Sequence, residues 1–255
     1  WGMTIGVLSI LVYTLWGGMW SVAVTDFIQM IILVVGLVVL AVFAADMAGG
    51  AGKVIDLAVS RDMFRFWPEP TWHEMIFFFG AAITMMLGSI PQQDVFQRVM
   101  SANTEKAATH GTVIGGTAYI LFAFVPMFLV ASALLIMPEQ TAALLEDDPQ
   151  KVLPTLVMDK MPVVMQVLFF GALLSAIKSC ASATLLAPSV TFTENIWRQF
   201  RPEYISDLEN LRIMRISVLV FAIAVLVYSI KMEGTPIFEL VSGAYQVPLV
   251  GAFVP

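Results

Sequence analysis

A lysine stands near the middle of an apolar run long enough to cross a bilayer. The run covers residues 161–197, MPVVMQVLFFGALLSAIKSCASATLLAPSVTFTENIW, and the lysine is Lys178. Its neighbours Ser175, Ala176, Ser179, Cys180, Ser182 and Ala183 are small and weakly polar, where a lipid-facing helix would carry Leu, Ile and Phe. On a helical wheel of about 100° per residue, Ser175, Ser179, Ser182, Ala176 and Ala183 share one face, and Lys178 sits at its edge, about 40° from Ser182. Small polar residues with one charge are the makings of an ion or solute path. The plainer alternative is a packing seam with the lysine snorkelling to an interface. Lys178 lies roughly 9–12 residues from either plausible cytoplasmic end of its span, about 14–18 Å at helical rise, which is deep for snorkelling.

An ammonium at that depth is costly unless paired, so a carboxylate partner is expected. Two acids are placed for it. Asp26 stands in VTDFIQ at the start of an apolar run, and Asp94 stands in GSIPQQDVFQRV, after a glycine and a proline. Each has an ordinary reading too. Asp26 could be a helix N-terminal acid with Thr25 as cap, and Asp94 could pair with Arg98 at i+4. Gly88, Ser89 and Pro91 interrupt their run and precede Gln92 and Gln93, so backbone groups are freed at membrane depth. Irregular backbone there is tolerated where it lines a cavity or is buried in protein, although a simple proline kink would read the same way.

The elements that must hold these residues are hydrophobic helices. The chain has 255 residues, 59% of them hydrophobic and 13% charged, with a mean hydropathy of +0.86, outside the range of soluble domains. This composition makes it an all-α integral membrane protein, multi-pass in the cell membrane with the lipid bilayer as partner. No period-2 alternation points to a barrel. The net charge of −6 excludes nucleic acid as a partner. The single cysteine, Cys180, excludes an intrachain disulfide. Seven runs approach the roughly 20 residues a span requires: 2–16, 22–45, 75–100, 111–137, 162–187, 212–230 and 236–255. Residues 17–21 read as a tight turn between the first two. Residues 46–74, with Trp67 and Trp72, read as a long interfacial loop, 138–161 as an acidic loop, and Pro126 as a kink. Lys and Arg divide six and six between the two sides, so the positive-inside rule does not orient the chain. The chain opens on Trp1 and stops within an apolar run, so it is expected to be one transporter domain over 1–255, truncated at both ends, with no signal peptide. No phosphate loop, Ser/His/Asp arrangement or metal-ligand spacing appears, so no enzyme chemistry is expected.

Three stretches, YTLWGGMWSVAVTDFIQ (13–29), GSIPQQDVFQRVMSA (88–102) and the run through SVTFTENIW, resemble the solute:sodium symporter family in the same order and spacing. The branch nearest in look is that of the high-affinity choline transporters. The resemblance implies a helical bundle that is part of the ten-helix inverted-repeat core of the leucine-transporter fold, about core helices 4 to 10, with residues 17–21, 101–110 and 193–211 cytoplasmic. It implies a secondary transporter of a small polar or charged organic solute, coupled to Na+. The family's cation ligands fall on Ala176, Ser179 and Cys180, and a second cation position on Asp26, Ser179 and Ser182. Gly88, Ser89, Gln92 and Gln93 fall on the solute-facing part of the sixth core helix.

Cysteine in place of a hydroxyl would weaken an oxygen site. Lys178 stands where the family carries a neutral residue, and pairing with Asp26 would let it replace the sodium ion. Gln92 in place of an aromatic argues against choline, whose quaternary ammonium is caged by aromatic faces. A symporter-like sensor domain fused to a signalling domain is the alternative class, and a degenerate structural membrane protein a third.

Overall fold

In lipid every backbone amide must find its partner within the protein, and the apolar runs do so by coiling on themselves. The computed structural model describes residues 2–200 and 206–253, and no strand occurs among them. The helices are α1 (Gly2–Met47), α2 (Ala51–Ser60), α3 (Trp72–Ser89), α4 (Gln93–Met100), α5 (Glu105–Phe122), α6 (Phe124–Ile136), α7 (Pro138–Asp147), α8 (Val152–Lys160), α9 (Val163–Thr191), α10 (Asp207–Lys231) and α11 (Ile237–Phe253). Among the described residues four stretches are long and apolar enough to cross a membrane: Val22–Met47, Glu105–Ile136, Val163–Phe200 and Asp207–Lys231. α11 is apolar but shorter, and α3 begins on Trp72, His73 and Glu74, which shortens its apolar part. Large apolar side chains stay exposed along the helices, for example Tyr119 at 76%, as a lipid-facing surface requires.

The helices gather into two compact units. One comprises Ile28–Met75 and Glu105–Ala176. Its core is Leu40 and Ala44 of α1, Leu129 and Ala133 of α6, Val152, Leu156 and Val157 of α8, and Phe169 of α9. Within a bilayer such contacts gain from close packing more than from leaving water. Two segments expected as loops are helical here. Residues 51–60 form α2 because Val54 and Ala58, one turn apart, are buried, and Val54 and Ala58 line an apolar cavity of about 130 Å³ together with Phe64, Phe124, Met127 and Ala131. Residues 138–160 form α7, a single 3₁₀ turn at Pro149–Lys151, and α8. Their charges face out, while Thr141, Val152 and Leu156 are fully buried. The Thr141 hydroxyl donates to the Ala133 carbonyl at 3.0 Å, tying α7 to α6. At Pro126, expected as a kink, the helix is interrupted only at Ala123, which keeps helical angles at φ −58° and ψ −23°. α5 ends at Phe122, the residue whose carbonyl the Pro126 ring crowds and leaves without an amide partner.

The other unit comprises Trp1–Phe27, Ile76–Thr104 and Ile177–Pro255. Ile10 and Leu11 of α1 pack with Leu185 of α9 and with Val218 and Ala222 of α10, and Arg215 donates to the Leu15 carbonyl at 3.2 Å. A π-turn, Phe192–Ile196, extends α9. Its Glu194 accepts from Arg198 at 2.7 Å and from Asn210 of α10 at 3.0 Å. Ser206 caps α10, accepting from the Glu209 amide at 3.3 Å, in the Ser-x-x-Glu spacing of a capping box.

The turn expected at residues 17–21 does not form. α1 runs unbroken from Gly2 to Met47. Gly17 and Gly18 each lower helix propensity by about 1 kcal/mol relative to Ala, and the long helix is carried through them. By contrast, the break expected after Gly88 is present, where Pro91 removes an amide. α3 ends at Ser89 and α4 begins at Gln93.

Replacing Thr141 by Val removes the α7–α6 hydrogen bond with little change of volume. It is expected to cost about 1 kcal/mol, seen as a lowered Tm of the purified protein, while Thr141→Ser retains most of the stability.

Candidate functional site

The polar residues of interest lie on α1, the α3–α4 break and α9, within the unit that holds Asp26, Arg98 and Ser179. Asp26 sits in the interior of α1, not at a helix start, because the helix continues through residues 17–21. Thr25 therefore does not cap it from a preceding loop; its hydroxyl donates to the Val22 carbonyl at 3.0 Å. The Asp26 side chain is 19% exposed, and both its oxygens are engaged. Oδ2 accepts from Nη2 of Arg98 at 2.7 Å, and Oδ1 accepts from the hydroxyl of Ser179. Three segments thus meet at one carboxylate: α1 carries the acid, α4 the guanidinium and α9 the hydroxyl. A charge-assisted pair of this length supplies the compensation that a carboxylate on an apolar helix needs.

The cation in this pair is Arg98, where the sequence reading placed Lys178. The reason is helical geometry. Ser179 reaches Asp26 from α9, and consecutive helical residues diverge by about 100°, so its half-buried neighbour Lys178 starts from a different face of the helix. Arg98 was legible only as part of QRV in the family-like stretch and as the i+4 neighbour of Asp94. The side chains of Gln93 and Asp94 lie outside the described residues.

The remaining α9 residues divide. Ser182 is fully buried and its hydroxyl donates to the Ser179 carbonyl at 2.9 Å, within its own helix. Cys180 is exposed as a free thiol. Ala176 lies three residues before Ser179 on α9 and falls in the other unit. The Asp26 carboxylate and Ser179 hydroxyl are hard oxygen donors of the kind an alkali cation takes, and the Cys180 sulfur is not. Among the described residues no group of three or more His, Cys, Asp or Glu gathers. Asp26 and Ser179 bring two such oxygen donors together, and the charge there is met by Arg98.

At the α3–α4 break, turn bonds link Ile90 to the Leu87 carbonyl at 3.2 Å and Gln92 to the Ser89 carbonyl at 3.3 Å. Gln92 is extended, at φ −68° and ψ 123°, and half-buried. Ser89 is half-buried and donates back to the Met86 carbonyl at 2.9 Å. Gly88 is buried against α11, where a Cβ would stand 2.5 Å from the Tyr245 carbonyl oxygen. The glycine is thus a close backbone crossing, a use of small residues common between membrane helices.

Gly88→Ala is expected to destabilise the protein by about 1–3 kcal/mol, since two backbones must part. Gly36→Ala serves as the contrast: its Cβ would meet the flexible Leu168 side chain at 3.3 Å and is expected to leave Tm nearly unchanged. Thermal unfolding of the two variants in one detergent compares them directly.

The sodium:solute symporter family model matches residues 1–254. The high affinity choline transporter 1 of Homo sapiens is 30% identical over 229 residues, covering 85% of this chain and 38% of that protein. The high-affinity choline transporter 1 of Drosophila melanogaster is 28% identical, covering 83% of this chain and 34% of that protein. The sodium/glucose cotransporter 4 of Danio rerio is also 28% identical, covering 81% and 36%. The chain therefore spans little more than a third of the length of these relatives. Among solved structures, that of a Na+-coupled sialic acid symporter in a substrate-bound outward-open state matches with a TM-score of 0.75, over 99% of this chain and 55% of that one, at 22% identity. That likeness carries the fold: a helical bundle that is part of the leucine-transporter core.

Proposed function

We propose that this chain, which belongs to the sodium:solute symporter family, forms part of a secondary transporter that moves a small polar or charged organic solute across a cell membrane together with a cation. The observation that carries the reading is the Asp26–Ser179 pair, a carboxylate and a hydroxyl joining two helices, in the same unit as a helix broken at Ser89 to Gln92. Freed backbone groups at a broken membrane helix are the usual place for solute and ion contacts. The relatives named above are transporters and cotransporters, none of them named as an enzyme, and they support transport without covalent chemistry.

The cation we assign is Na+, at Asp26 and Ser179, with Ser182 on the same helix and Cys180 as the weak member. Gly88, Ser89, Gln92 and Gln93 form our solute-facing set, with Gly88 acting through its lack of a side chain. Choline is the solute of several relatives by name. Gln92, an amide where aromatic faces would cage a quaternary ammonium, favours a solute with hydrogen-bonding groups instead.

Uptake into proteoliposomes tests the reading. With an inward Na+ gradient, a panel of small polar solutes is expected to include one that accumulates, and replacing Na+ by K+ is expected to abolish accumulation. Equal uptake in both salts would overturn Na+ coupling, and no uptake of any solute would overturn transport itself.

A further inference from the structure

We infer that Arg98 is a tethered cation that competes with the coupling ion for Asp26, so that ion binding and release of α4 are one event. The inference rests on the reading of Asp26 and Ser179 as a cation position. It starts from the geometry: the guanidinium of Arg98 lies 2.7 Å from Oδ2 of Asp26, while Oδ1 holds the Ser179 hydroxyl. A monovalent cation that approaches this carboxylate meets a fixed positive charge already hydrogen-bonded to it. Like charges at such range repel, and the carboxylate's negative charge has been met. The pair is also exchangeable. Arg98 is 47% exposed, so its guanidinium can be taken up by water when displaced, and half-exposed pairs are held weakly.

The element that carries Arg98 makes the exchange consequential. α4 has eight residues. It is bounded by the broken segment at residues 90–92 and by the turn that follows at Ser101, where the amide returns to the Gln97 carbonyl at 3.1 Å. Arg98 is in the last turn of α4, one helical turn and more beyond the break. The Asp26 pair therefore fastens the far end of a short helix to α1, and the Ser179 hydroxyl fastens the same carboxylate to α9. A cation that takes Asp26 keeps the α1–α9 link and loosens α4. Gln92 and Gln93, assigned above to the proposed solute-facing set, cap and begin that helix, so occupancy of the ion position would be felt at the broken segment.

Ion binding without transport gives the readout. Tm of the purified protein is measured against Na+ concentration at constant ionic strength, with N-methyl-glucamine replacing Na+. Arg98→Gln is expected to lower the half-maximal Na+ concentration about ten-fold, equivalent to about 1.4 kcal/mol. Arg98→Lys, which keeps the charge, should shift it much less. In an Asp26→Asn background, Arg98→Gln should produce no gain. An unchanged or higher half-maximal Na+ for Arg98→Gln, or a gain that survives Asp26→Asn, overturns the inference.

A second measurement keeps Arg98 in place and covers the case in which Arg98→Gln does not fold. A thiol placed by Ser101→Cys should react faster with a maleimide in Na+ than in N-methyl-glucamine, after subtraction of the Cys180 labelling of the parent protein, and an equal rate overturns the release of α4. If uptake stays Na+-dependent while both measurements fail, the competition is wrong and the proposed function stands. Na+-independent uptake would instead remove the proposed function.

Discussion

The structure depends on one constraint, the absence of water as a hydrogen-bonding partner within the hydrocarbon layer. Every amide must then be bonded inside the protein, and the chain obeys this even where its local preferences point elsewhere. α1 passes through Gly17 and Gly18 without a turn. Helices yield where proline takes a donor away, at Phe122 before Pro126 and at Ser89 before Pro91. Pro188, inside α9, shows that the same residue can be carried without a break. Just beyond it the helix continues as a π-turn, with Thr193 donating back to the Ser189 carbonyl at 2.8 Å.

The same scarcity of water governs the charges. A carboxylate on an apolar helix is tolerated when its charge is met close by, and Asp26 finds both a guanidinium and a hydroxyl. Because those partners arrive from different helices, the electrostatic requirement becomes a structural tie among α1, α4 and α9. Gly88 shows the complementary case, in which a residue is valuable for having no side chain and lets α3 approach the Tyr245 backbone.

Much of this was open to reading from the chain itself. Hydropathy gave the helical membrane class, since no soluble domain carries so many apolar residues. The break near Gly88 was legible because proline acts locally. α2, α7 and α8 were not, because their charges outweighed a short buried pattern such as Val152, Leu156 and Val157, and short amphipathic helices owe their stability to a packed face more than to propensity. The ion pair was harder still. Reading along α9 drew attention to Lys178, whereas the cation that reaches Asp26 comes from a residue 72 positions away in sequence.

The sequence by itself determined that the chain lives in a membrane, that it is helical, where proline breaks it, and which acids and bases need partners. Those follow from composition and from interactions along the chain. Only the tertiary structure decided which partner each charge takes and which glycine is a crossing point. Those depend on which faces of distant helices meet, and a shift of one residue along α9, the step from Lys178 to Ser179, turns a side chain by about 100° and gives the carboxylate a different neighbour.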